Sequence, residues 1–180
     1  MIVAKSEAIT GQGTELRDKS NILRAIMIAG MYLVVTVITA QFSFLDIQLR
    51  ITEALCILPM FTPIAIPGLF IGCLLANLCA GAPLADVIFG SLATLIGGVG
   101  TWMLRDKKPY IAILPPIVAN LVIVPLILKF AYHLEASIPM MMLTVGLGEI
   151  CACGVLGLLL YRVLLPHKEK LFGYVEELKK

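Results

Sequence analysis

Five side chains able to do polar chemistry stand inside otherwise apolar runs. They are the carboxylates Glu53, Asp86 and Glu149 and the amides Asn77 and Asn120, with Arg50 three residues ahead of Glu53. An ionisable group placed in hydrocarbon costs about 2.5–3.5 kcal/mol on insertion scales, so each such residue needs a reason to be there. Carboxylates accept, and amides both accept and donate. Gathered in a membrane, a set of this composition reads as the polar lining of a cavity.

Plainer readings exist for most of them. Arg50 and Glu53 have the spacing of a local ion pair. Glu53 and Asp86 suit helix N-termini, where the dipole favours a carboxylate. Asn77 and Asn120 can serve as hydrogen-bonding glue between helices. Glu149 is hardest to explain away, because it lies deep and follows Gly146 and Gly148.

No reaction chemistry is indicated. The chain has no Gly-x-x-x-x-Gly-Lys-Ser/Thr loop for nucleotide, no HExxH and no GxSxG. Its two histidines, His133 and His167, fall at opposite ends of the expected bundle and cannot meet. The five cysteines sit in apolar runs, an odd number that does not suggest disulfides. They read as small packing residues. Cys151 and Cys153 are too close for a CxxC pair and lack a second pair, so no metal site is expected. The expectations are no catalytic residue, no cofactor and no nucleic-acid partner.

The elements that must position these residues follow from composition. Of 180 residues, 59% are hydrophobic and only 14% charged, and the mean hydropathy is +0.97. A soluble domain carries about 25% charged residues. The fold class expected is therefore an all-α integral membrane protein. Ile22 to Phe44 is one apolar run. Residues 51–104 make three short spans of about 18 residues, cut at Pro63, Pro67 and Gly68 and again at Ala80-Gly81-Ala82-Pro83. Tyr110 to Tyr132 is a fifth span and Ile138 to Leu165 a sixth. The organisation is thus a polar N-terminal segment 1–21, a six-helix membrane domain 22–165 and a charged tail 166–180.

Twelve of the 14 Lys and Arg residues fall in the N-terminal segment, in the Arg105–Lys108 turn or at the C-terminus, and only Arg50 and Lys129 fall opposite. The positive-inside rule then puts both termini in the cytoplasm. On that topology Glu53, Asn77 and Asp86 lie near the outer face, and Asn120 and Glu149 near mid-membrane. The pattern is a polar cavity open outward and closed at its base. Gly68, Gly72, Ala76 and Ala80 repeat every four residues and form a close-packing face. Ala25 and Ala29 make a similar pair on the first span, read as internal packing or as docking for another membrane subunit.

Particular strings add to this. Arg50-Ile-Thr-Glu-Ala-Leu, Leu58-Pro-Met-Phe-Thr-Pro, Ala65-Ile-Pro-Gly-Leu-Phe, Ala76-Asn77 and Asp86-Val-Ile-Phe-Gly-Ser-Leu-Ala-Thr resemble the QueT family. Its members are substrate-binding S-components of energy-coupling factor (ECF) transporters, associated with precursors of queuosine. The resemblance covers nearly the whole chain and is densest over 50–105. It implies a six-helix bundle with both ends inside, in a bacterial plasma membrane. It implies capture of a 7-deazaguanine such as preQ1, preQ0 or queuine, and association with a transmembrane T-component and two cytoplasmic ATPases. For such a ligand one carboxylate accepts the ring N–H and exocyclic NH₂ as a charge-assisted pair, and a second offsets an aminomethyl cation. Glu149 and Glu53 are the candidates for those two roles, Asn120 and Asn77 for the remaining polar edges, and Phe61 or the opening loop for an apolar wall over the ring. Ala25 and Ala29 match the class's docking pair in type, spacing and depth. An S-component for another vitamin-like ligand, an autonomous secondary carrier using Glu149 and Glu53, and a structural subunit without ligand are the alternatives. Ser43 to Arg50 is expected to act as a lid.

Overall fold

In the computed structural model, residues 2–39 and 50–172 are described, with side chains from 18 onward. Among these residues every regular element is helical. α1 spans Ile2–Thr39 without a break, so the described part of the polar N-terminal segment continues directly into the first apolar run. A 3₁₀ helix spans Ile51–Met60, α2 Ala65–Cys79 and α3 Ser91–Met103, the last preceded by a π-helical stretch at Asp86–Gly90. α4 (Pro109–Ala112) and α5 (Leu114–Phe130) form one bent element. α6 (Ile138–Glu149), a second π-helical stretch (Ile150–Leu156) and α7 (Gly157–Leu164) form another, which runs on through the turn Leu165–His167 into α8 (Lys168–Phe172).

Four helical stretches are long and apolar enough to cross a membrane: Asp18–Thr39, Asp86–Met103, Pro109–Phe130 and Ile138–Phe172. The two between residues 51 and 79 are shorter than the expected 18-residue spans, at 10 and 15 residues. The reason is geometric for the first. A 3₁₀ helix rises about 2.0 Å per residue, so ten residues reach about 20 Å rather than the 15 Å of an α-helix. Pro67 and Gly68, expected to break the chain, lie instead in the first turn of α2. An amide missing there removes no intrahelical bond. The break is confined to residues 61–64.

The ends of the bundle are fixed by contacts. At one end Arg50 reaches Asn77 near the close of α2, and Tyr132 beyond α5 reaches Asp86 at the start of the π-helical stretch. At the other, Phe61 stacks on Tyr161 and Phe172 with ring centroids 5.2 and 5.3 Å apart, and Arg24 donates to the Phe172 backbone oxygen. Phe61 therefore belongs to the end away from the acidic residues and is not a wall of their site. Ile51–Met60 is the central element, buried from Thr52 to Pro59. It packs on α1, α3, α7 and the second π-helical stretch. The outer faces carry apolar residues such as Ile26, Val37, Val122 and Leu159, as a lipid-facing surface requires.

α1 lies against α2 through the small-residue face. A Cβ on Gly72 would stand 2.7 Å from Tyr32 Cβ and 3.0 Å from Ala29 Cα. Only glycine allows this approach. Ala29 is buried in the contact, while Ala25 is half-buried at its edge.

Candidate functional site

The six polar residues singled out in the sequence fall into two connected groups. Glu53, Asn120 and Glu149 are in the inner group, and all three are buried, at 0%, 1% and 3% exposure. Tyr32 Oη donates to Glu53 Oε1 at 2.9 Å, and the Cys56 thiol donates to Glu53 Oε2 at 3.0 Å. Asn120 Nδ2 donates to Glu149 Oε1 at 3.0 Å. The Cys153 sulfur joins the two halves, lying 3.4 Å from Glu149 Oε2 and 3.2 Å from the Glu53 backbone oxygen. Asn120 Oδ1 has no hydrogen-bond partner although it is buried. An orphaned acceptor is rare in a packed interior and marks a place for a donor from elsewhere.

The outer group is Arg50, Asn77, Asp86 and Tyr132. Arg50 Nη2 donates to Asn77 Oδ1 at 3.2 Å, and Asn77 Nδ2 donates to the Asp86 backbone oxygen at 3.2 Å. Tyr132 Oη donates to Asp86 Oδ2 at 2.8 Å. Arg50 thus bonds across to α2, while both Glu53 oxygens are taken by Tyr32 and Cys56, so the local pair suggested by their spacing does not form. Asp86 is more than a helix-start charge, because its side chain ties the α3 element to the end of α5.

Local geometry explains how these residues meet. Side chains three apart eclipse in a 3₁₀ helix, which stacks Cys56 over Glu53. Cys153 lies inside the second π-helical stretch, one residue after whose N-cap position, Glu149, the wider turn begins. Asp86 opens the first. Every buried carboxylate among the described residues thus sits in or beside a helical stretch that is not α. Such stretches, π-bulges above all, concentrate at functional sites.

Sequence reasoning passed over Tyr32, Cys56, Cys153 and Tyr132. The cysteine reading is corrected for two of five: Cys56 and Cys153 are buried hydrogen-bonding partners of the carboxylates, whereas Cys79 and Cys151 are exposed. A stripe signal existed for Tyr32, which continues the face of Ala25 and Ala29 one turn on. The remaining lid residues, 43–49, lie outside the described residues.

An apolar helical bundle with lipid-suited outer faces and carboxylates gathered at its centre defines a multi-pass membrane protein of the transporter class. The chain belongs to the QueT transporter family, whose model matches residues 22–166. No curated protein and no solved structure matches the chain.

Proposed function

We propose that this chain is the substrate-capture subunit of an ECF-type importer, taking up a 7-deazaguanine precursor of queuosine. Within the family's transport role, the observation that carries this reading is the pair of buried side chains Glu53 and Glu149, linked by Cys153, whose sulfur lies 3.4 Å from the Glu149 carboxylate and 3.2 Å from the Glu53 backbone oxygen, with the unpartnered oxygen of Asn120 beside Glu149. A deazaguanine presents a ring N–H and an exocyclic NH₂ side by side, which one carboxylate accepts together. The other carboxylate offsets a cationic aminomethyl group. Asn120 Oδ1 accepts a further donor. Arg50, Asn77 and Asp86 line the route on the side from which ligand arrives.

All six apolar segments cross the bilayer in this reading, with 22–165 as the membrane domain. The short 3₁₀ and α2 segments sit among longer helices that shield their ends from lipid. The strongly basic end, holding Arg24, Arg105 and Arg162, faces the cytoplasm of a bacterium, with both termini there. Energy comes from partner chains, one T-component and two ATPases, docking on the α1 face that carries Ala25 and Ala29.

Calorimetry on the purified chain with an aminomethyl deazaguanine tests the reading. Glu149→Gln and Glu53→Gln each weaken binding by the roughly 2–5 kcal/mol of a lost buried charged partner, about 30-fold or more. Asn120→Ala costs less. Wild-type affinity in both Glu→Gln variants removes these carboxylates from the site.

A further inference from the structure

The inner group has a second chemistry, which draws on Glu53, one of the carboxylates assigned above to the ligand. Cys56 Sγ, Cys153 Sγ and a Glu53 carboxylate oxygen all lie within 4.8 Å of one another, and all three residues are buried. Glu149, 3.4 Å from Cys153 Sγ, stands beside this set. We propose that Cys56, Cys153 and Glu53 form a three-ligand binding site for a thiophilic divalent cation of the zinc type, with the fourth position open.

The donor set is two thiolates and a carboxylate oxygen, which suits such an ion. With Zn–S near 2.3 Å and Zn–O near 2.0 Å, donors around a tetrahedral ion stand about 3.5–3.8 Å apart. Cys56 Sγ stands 3.0 Å from Glu53 Oε2, and all three ligand atoms lie within 4.8 Å of one another. Both sulfurs act as thiol donors, Cys56 to the Glu53 carboxylate and Cys153 to the neighbouring oxygens. Binding replaces the two protons by one ion: two S–H bonds break, two sulfur–metal bonds form, and two protons leave to solvent. The ligands come from two elements, the 3₁₀ helix and the second π-helical stretch, and close from at most 4.8 Å to that spacing on binding. Asn120 supplies an observation outside the donor set. Its amide nitrogen is fixed on Glu149, and its oxygen, in a residue only 1% exposed, has no donor. A water in the open fourth position would supply one.

The test uses the full chain in detergent, purified without a histidine tag, with the exposed thiols removed as Cys79→Ser and Cys151→Ser. Titration with cadmium, followed by equilibrium dialysis and by the ultraviolet sulfur-to-cadmium charge-transfer band, should give one ion per chain. Adding Cys56→Ser or Cys153→Ser should weaken binding by about tenfold or more and diminish the band, while Cys73→Ser, which removes the remaining thiol, should leave both intact. Should a serine variant fail to fold, X-ray absorption on the zinc-loaded parent decides: two sulfur neighbours support the site. No band in the parent, a band unchanged in folded Cys56→Ser and Cys153→Ser variants, or zinc surrounded by light atoms alone overturns it.

Discussion

The hydroxyl of Tyr32 lies 2.9 Å from Oε1 of Glu53, joining the first membrane helix to the central 3₁₀ segment across 21 residues of sequence. The contact converts a packing interface into a site constraint. The approach of α1 to α2 at Gly72 sets how far the Tyr32 ring reaches, and that reach orients one oxygen of the most buried carboxylate. Removing the hydroxyl leaves Glu53 short of a donor in a dry interior, at a cost of about 1–3 kcal/mol. Tyr32→Phe should lower the unfolding temperature of the ligand-free protein in detergent and weaken ligand binding. A variant indistinguishable from wild type in both would show that the contact carries no weight.

The same coupling makes Gly72 a remote determinant of the site. An added methyl would meet Tyr32 Cβ at 2.7 Å and the Ala29 backbone at 3.0 Å, neither of which is a flexible chain end. Gly72→Ala should therefore destabilise by about 1–3 kcal/mol, as overpacking does, and reduce binding although residue 72 touches no polar group of the site. Gly30, where a Cβ has nothing within 4 Å, is the control. Gly30→Ala should be neutral in both assays, and equal behaviour of the two variants would refute the argument.

How much was legible in the sequence depends on which property is asked for. The apolar runs, the turns at 80–83 and 105–108, and the small-residue face show plainly, because hydropathy and glycine spacing report burial and close approach directly. Glu53, Asn120 and Glu149 were also identifiable, since a carboxylate or amide in an apolar run is conspicuous. Their mutual contacts were not. Periodicity arguments assume 3.6 residues per turn, and the three carboxylates sit in or beside 3₁₀ and π geometry. Ile51–Met60 is enclosed on all sides and so has no polar face to reveal its period. Cys151 and Cys153 read alike in sequence, yet one is exposed and the other buried between the Glu149 carboxylate and the Glu53 backbone oxygen.

Sidedness can be read from thiols already present. Cys79 is exposed at the end of α2 that carries the acidic groups, and Lys107 lies in the basic turn at the opposite end. An impermeant maleimide applied to intact cells should label Cys79. A Lys107→Cys substitution in a Cys79→Ser background should resist the reagent outside and react in inverted vesicles. Labelling of the Lys107→Cys chain from outside would overturn the six-span arrangement with a cytoplasmic C-terminus.

The outer group should matter less for affinity than the inner one. Asp86 accepts from Tyr132 at 2.8 Å, and Asn77 links Arg50 to the Asp86 backbone, so these contacts hold elements together near the face proposed to admit ligand. Tyr132→Phe and Asp86→Asn are expected to raise ligand on- and off-rates together, with a smaller change in Kd than Glu149→Gln gives. Stopped-flow binding separates the cases. A large loss of affinity with unchanged off-rate would place Asp86 among the groups that hold the ligand.

The last expectation concerns α1, where two alanines one turn apart have different surroundings. Ala29 is buried against Gly72, whereas Ala25 is half-buried, and its contact with Gly68 runs through its backbone oxygen. A bulky side chain at Ala29 has no room and pushes α1 off α2, taking Tyr32 with it. At Ala25 the same side chain can turn outward beside Leu23 and Ile26, on the face proposed to meet the T-component. Ala29→Trp should thus lose both stability and ligand binding. Ala25→Trp should bind ligand normally in isolation yet fail in ATP-driven uptake with the partner subunits present. Small-xxx-small faces act by permitting close backbone approach, so bulk is the appropriate probe. Full uptake by a stable Ala25→Trp chain would move the docking surface away from this edge of α1.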